Sequence, residues 1–164
     1  MLRHTARRLA SFSARDAYDA PGAATAYRDY ANIAPWRVYG ERFTQKKLLG
    51  DLSVKRVLDL ACGDGTNARW LHDDCGAKEV VGVDFSEAMI EQARAHTPSS
   101  SSIRYEVGDA AEVGESVLRG ARFDVVLANY LLNYAQDEPT LAAYLRAARR
   151  VLGFGGLFVA ANDF

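Results

Sequence analysis

Residues 56–71 read RVLDLACGDGTNARWL, and the fold is decided there. Val57, Leu58 and Leu60 make a short apolar run of the kind buried in a parallel sheet. Gly63 and Gly65 supply a tight turn, and Thr66 to Leu71 opens a helix. Strand, glycine turn and helix N-terminus together turn bare backbone N–H groups and a positive dipole end toward an open crevice. The acids set this example apart: Asp59 lies inside the strand and Asp64 between the two glycines. Two carboxylates would repel a pyrophosphate, whereas they favour a ligand carrying a cationic group.

Working outward, Glu79–Asp84 (EVVGVD) is a second apolar run ending in an acid, nineteen residues past Gly65. A carboxylate at that strand end suits a vicinal diol, so Asp84 is expected to accept from ribose hydroxyls, with Phe85 covering an adenine face. Ser86 is placed to cap a helix that runs to His96, with Met89, Ile90 and Ala93 inward. Ile103–Val107 is a third strand, followed by Gly108-Asp109-Ala110, and Phe123–Ala128 a fourth. Ligands meet the loops at the carboxyl ends of parallel strands. That rule brings Asn129, Tyr130, Asn133 and Tyr134 near the reacting centre. Asp137–Leu152 then reads as a long helix capped by Asp137, with Leu141, Tyr144, Leu145, Ala148 and Leu152 as its apolar face. Arg146, Arg149 and Arg150 fall on its solvated side. Gly155-Gly156 turns the chain into a fifth strand, LFVAAND.

VLDLACGDG resembles the first motif of class I S-adenosylmethionine (SAM)-dependent methyltransferases: a hydrophobic strand, an acid, then G-x-G-x-G. Ala61 occupies the first glycine position here, and Gly63 and Gly65 are kept. The resemblance covers roughly residues 56–162. It implies a Rossmann-like, doubly wound α/β fold with parallel strand order 3-2-1-4-5, in which the usual strands 6 and 7 are absent. It also implies SAM as cofactor, S-adenosylhomocysteine (SAH) as product, and Asp109 with Ala110 at the adenine. Asp59 and the backbone at Ala61 and Gly63 would position the methionine ammonium. The cofactor-binding set is then Asp59, Ala61, Cys62, Gly63, Gly65, Asp84, Phe85, Asp109, Ala110 and Asn129. Helices ahead of the first strand commonly fold over the cofactor in this family. Tyr27 and Tyr30 are therefore lid candidates, and Tyr130, Asn133 and Tyr134 join them in the substrate pocket. The alternative is that the aromatics of residues 23–50, among them Trp36, Tyr39 and Phe43, pack their helices onto the sheet.

The chain's 164 residues fit one domain with its own core. The division expected is a flexible basic segment, residues 1–20, and a SAM-binding domain, 21–164, made of lid helices (21–50) and a Rossmann-like core (56–164). Net charge is −1, yet residues 1–50 hold nine Lys/Arg against four Asp/Glu. Residues 1–15 contain four arginines and no acid. This pattern leaves a mitochondrial targeting peptide open beside a frayed bacterial start. Otherwise the expectation is cytoplasmic. No apolar run approaches the ~20 residues of a membrane span. Cys62 and Cys75 lack the spacing and the histidines of a metal pair and fit a reducing compartment, so no metal is expected.

The expected reaction moves a methyl group to a small-molecule N, O or C nucleophile by in-line displacement. The catalytic base is unknown, with Tyr134 and Tyr30 as candidates, because His4, His72 and His96 all fall away from the predicted site. The [DN]-P-P-[YF] motif of many base-methylating enzymes is missing, so no nucleic-acid substrate is expected. Two rivals stay open: a SAM-binding, non-catalytic or regulatory subunit, and an NAD(P) oxidoreductase. The latter draws on Gly63–Ala68, which spells G-x-G-x-x-A. An uncovered apolar fifth strand would be an aggregation hazard. A fragment or truncated form is therefore expected, with a homodimer or partner over that edge as the alternative.

Overall fold

Val57 and Leu58 are adjacent and both fully buried, so β1 (Arg56–Leu60) is covered on both faces. The computed structural model describes residues 35–162, with Ala20, Gly22, Thr25 and Ala26 ahead of them. Tyr27, Tyr30 and the basic segment 1–19 lie outside the described residues. β1 pairs in parallel with β2 (Glu79–Asp84) and β4 (Phe123–Asn129), β2 with β3 (Ile103–Val107), and β4 with β5 (Leu152–Ala161). The order is β3-β2-β1-β4-β5, the one that the methyltransferase resemblance implies. Because the order reverses between β1 and β4, the crevice at their carboxyl ends is the ligand position of the fold.

Alternation along the strands sorts the core into two layers. Val57, Val80, Val125 and Leu127 face α1 (Arg42–Leu49), α2 (Thr66–Asp73) and α3 (Glu87–Ala95). Leu58, Val81 and Val126 face the opposite way, against Ala147, Ala148 and Val151 of α4 (Glu138–Val151). Each fully buried Leu or Val contributes about 1.5–3 kcal/mol of burial. Among the described residues, no helix is long and apolar enough to cross a membrane.

The helix caps fall where the sequence puts them. Met89 N donates to Ser86 Oγ (3.2 Å), and Thr140 N to Asp137 Oδ1 (2.8 Å). Three expectations need correcting. Leu145 is 42 % exposed, because it lies about 100° round the helix from Tyr144 and about 120° from Val151, at the margin of the buried face made by Ala147, Ala148 and Val151. Leu152 leaves the helix and opens β5, so that strand begins before Gly155-Gly156 rather than after it. Its register slips, with Leu152 opposite Phe123 but Leu157 opposite Val125. A Cβ on Gly156 would stand 3.2 Å from Asp124 O, so the slip depends on close backbone approach. Third, Trp36, Tyr39 and Phe43 are 54 %, 75 % and 66 % exposed. They sit on a π-helical turn (Trp36–Glu41) and α1, and they do not pack those elements onto the sheet.

Candidate active site

Gly63 and Asp84 are 21 residues apart and meet at the carboxyl ends of β1 and β2. Gly63 N donates to Asp84 Oδ2 (2.9 Å) and Ser86 N to Asp84 Oδ1 (3.0 Å). The Asp84 carbonyl accepts from Gly108 N at 2.9 Å. One buried residue thereby ties the glycine turn, the start of α3 and the end of β3 together, with its carboxylate in the wall of a cavity of about 500 Å³. That size is in the range of small-ligand sites.

Ten sequence-predicted residues line this cavity: Ala61, Gly63, Asp84, Phe85, Asp109, Ala110, Asn129, Tyr130, Asn133 and Tyr134. Cys62, Gly65 and Asp59, which the resemblance also assigns to the cofactor, do not line it. Cys62 is buried, and its thiol is pushed well up by that burial. Gly65 is needed for packing: its φ is +78°, and a Cβ there would stand 2.5 Å from the Tyr105 hydroxyl. Asp64 also lies behind the wall. Its carboxylate accepts from Thr66 N (3.2 Å) and Thr66 Oγ1 (3.0 Å), with Arg69 at 3.9 Å, so it organises the first turn of α2 rather than meeting a ligand directly.

Asp59 is 1 % exposed, on the Val57 face of β1 toward α2. It accepts from the Ala68 N–H, and its Oδ2 is buried without a hydrogen-bond partner. Burial first, then the neighbouring Asp84 and Asp64 charges, push its carboxyl up to about 7. The strand pattern could not separate an acid in the wall from one behind it, because that depends on how α2 packs.

Sequence reasoning missed Val83, Met89, Gly108, Leu131, Gln136 and Tyr144 in the wall. Met89 and Tyr144 both carried a signal, their inward helical positions, which reads equally as core. Burial, and then the Asp109 carboxylate, push the Tyr144 phenol up. Glu41 and Gln45 of the N-terminal elements were also missed. Tyr130 OH donates to Glu41 Oε2 (2.5 Å), and Gln45 Nε2 donates to Asn129 Oδ1 (2.7 Å). Tyr130 holds a left-handed φ of 63° at the start of the 3₁₀ turn Leu131–Tyr134, as Ala61 does at the glycine turn. Strained backbone of this kind concentrates at functional sites.

The walls carry the carboxylates of Asp84 and Asp109 and no Lys, Arg or His among the described residues. Such a surface favours a cation over a pyrophosphate. Among the described residues no cluster of three or more His, Cys, Asp or Glu could hold a metal ion. A parallel sheet of this order, with an acidic, glycine-turned crevice at its switch point, defines a Rossmann-like SAM-binding class.

Residues 57–156 match the family model described as a methyltransferase domain, and the chain belongs to that family. The match decides against the dinucleotide reading. A demethylmenaquinone methyltransferase of Staphylococcus aureus is 31 % identical over 119 residues, covering 70 % of this chain and 47 % of the relative. A ribosomal RNA small subunit methyltransferase C of Marinomonas is 30 % identical over 126 residues, 75 % of this chain and 35 % of the relative. Among solved structures, an S-adenosylmethionine-dependent methyltransferase from Mesorhizobium loti is 30 % identical with TM-score 0.65, covering 81 % of this chain and 56 % of that one. A Haloferax volcanii methyltransferase complexed with the Trm112 activator is 25 % identical with TM-score 0.72, covering 93 % and 61 %. The chain spans less than half the length of these curated relatives.

Proposed function

We propose that this chain binds SAM in the cavity and directs its methyl group to a small-molecule acceptor. The observation that carries the reading is Asp84, a buried acid of the cavity lining whose carboxylate is held by two backbone N–H groups. The donor set fits the cofactor. The Asp84 carboxylate is an acceptor of the kind a diol calls for, Phe85 and Met89 offer apolar walls for a base, and among the described residues no basic side chain lines the cavity to oppose a cation. When bound, SAM would supply a methyl group activated by its sulfonium.

The chain's own residues do the rest. Asp84 accepts from ribose hydroxyls, Asp109 and Ala110 meet the adenine edge, and the Ala61–Gly63 backbone orients the methionine end. Asn129, Tyr130, Asn133 and Tyr134 form the acceptor side, where closing out water and aligning the nucleophile lower the barrier. Tyr134, half-exposed at the rim, is the candidate to take a proton from a protonated acceptor. The Gln45–Asn129 link supports α1 as part of a lid over this side. The relatives act on both a quinone precursor and RNA by their names. The acidic walls favour a small neutral or cationic acceptor over a polyphosphate backbone. The exposed Phe154 and Leu157 on edge strand β5 support a covering partner, either a second copy of this chain or another protein. Both cysteines are free, which supports a cytoplasmic setting.

Isothermal titration with SAM and SAH tests the cofactor. Radiolabelled-methyl transfer to panels of amines, phenols, quinols and RNA tests the acceptor. Transfer to RNA alone would overturn the small-molecule reading, and binding without transfer to any acceptor would favour a regulatory subunit.

A further inference from the structure

Three carboxylates converge beneath the glycine turn, and only one faces the cavity. Asp84 lies in the wall, Asp64 is engaged with Thr66 and Arg69, and Asp59 is sealed behind them with Oδ2 unpartnered. An ionised carboxylate there would lack both water and a counter-ion, a costly arrangement. The Ala68 N–H of α2 donates one hydrogen bond to Asp59, and the side chains facing it add no relief. The α2 cation, Arg69, is paired with Asp64. The Cys62 thiol of the turn and the Tyr105 phenol of β3 are both held neutral by burial, and β4 brings only Leu127 alongside. Asp84, at the end of β2, adds a second negative charge close by.

We propose that Asp59 discriminates between SAM and SAH by charge, carrying a proton when the cavity holds no cation and releasing it to solvent when SAM binds. The inference rests on the SAM reading above. At neutral pH, SAM carries a sulfonium, an ammonium and a carboxylate, a net of one positive charge, whereas SAH lacks the sulfonium and is neutral overall. Through the intervening protein of low dielectric, the extra charge stabilises the Asp59 carboxylate. The O–H bond of Asp59 breaks on SAM binding and the proton leaves to buffer. After methyl transfer removes the sulfonium charge, the carboxylate takes a proton back and the hold on product weakens. Asp59 acts through the field at the cavity, so it is a positioning and specificity residue rather than a catalytic one.

Titrations of the full chain in buffers of different ionisation enthalpy, from pH 6 to 8, read this directly. The expected results are net proton release on SAM binding, less on SAH binding, and SAM affinity that rises roughly tenfold across the range. Asp59→Asn should lower the proton release on SAM binding and narrow the SAM/SAH preference. The sulfonium lowers the ammonium pKa of SAM relative to SAH, so the ligands' own proton exchange is removed by subtracting the Asp59→Asn titrations from those of the unaltered protein. Infrared difference spectra of the unaltered protein provide a readout independent of the variant's folding: a protonated-carboxyl band near neutral pH should vanish with SAM and persist with SAH. A ligand-free protein without that band, a band that survives saturating SAM, or equal proton release for the two ligands would overturn the proposal. No binding of SAM at any pH would instead overturn the cofactor reading, and this inference with it.

Discussion

Gln45 and Asn129, 84 residues apart in the chain, hold each other by two amide hydrogen bonds of 2.7 and 3.3 Å in a buried setting. Gln45 projects from α1 and Asn129 ends β4, so this pair pins α1 to the side of the cavity that Asn129 lines. Gln45→Ala should leave the Asn129 amide buried without its partner, at a cost of about 1–3 kcal/mol. Urea unfolding measures that loss. Hydrogen exchange should show α1 opening while β1 and β2 keep their protection, and uniform loss of protection would contradict the local role.

Asp84→Asn keeps the shape of the residue but places an NH₂ group against one of the two backbone donors, Gly63 N–H or Ser86 N–H. One charge-assisted bond, worth about 1.5–3 kcal/mol, is lost. SAM affinity should fall roughly 10- to 100-fold by calorimetry. An unchanged dissociation constant would remove Asp84 from the ribose site.

The pH dependence of stability should carry the mark of Asp59. Its folded-state pKa of about 7 lies above its ordinary 3.8, so between those values the folded protein holds a proton that the unfolded chain has released. Stability from this residue is complete below about pH 4 and declines as pH rises to 7, by on the order of 4 kcal/mol. Asp59→Asn, which cannot ionise, should flatten that decline and leave the variant relatively more stable at pH 8. Denaturant midpoints at pH 5 and pH 8 decide it, and parallel pH profiles for the two proteins would refute it.

Two substitutions at the turn should act in opposite directions. Gly65→Ala adds a Cβ at φ +78° against the Tyr105 ring and should cost about 2–3 kcal/mol, part of it recovered when Tyr105 is also made smaller. Ala61→Gly relaxes a left-handed φ of 63° and should be neutral or stabilising by about 0.5–1 kcal/mol, against the usual cost of glycine. Thermal unfolding of both variants gives the signs.

Local pattern was sufficient wherever a property depends on neighbours in sequence. The strands around Val57, Val80, Ile103 and Val125, the Ser86 and Asp137 caps, and the carboxyl-end rule that gathers Asp84, Asp109 and Asn129 are of this kind. An apolar run buried on both faces has few alternatives to a parallel sheet, and the acids at successive strand ends are then carried to one crevice. Whether a side chain stands in the cavity wall or behind it depends on helix packing. That packing sealed Asp59 and Cys62, turned Asp64 to Thr66, gave Gly65 to Tyr105, and swung Leu145 to solvent. Glu41 and Gln45 reach the site only because α1 lies against the end of β4, a contact across 84 residues that no local spacing encodes. The strand–glycine–helix unit at residues 56–71, its acids included, was therefore legible from the sequence. That both of those carboxylates lie behind the cavity wall, Asp64 held by Thr66 and Asp59 left with Oδ2 unpartnered, was decided by the tertiary structure, because desolvation and pairing are set by what packs above them.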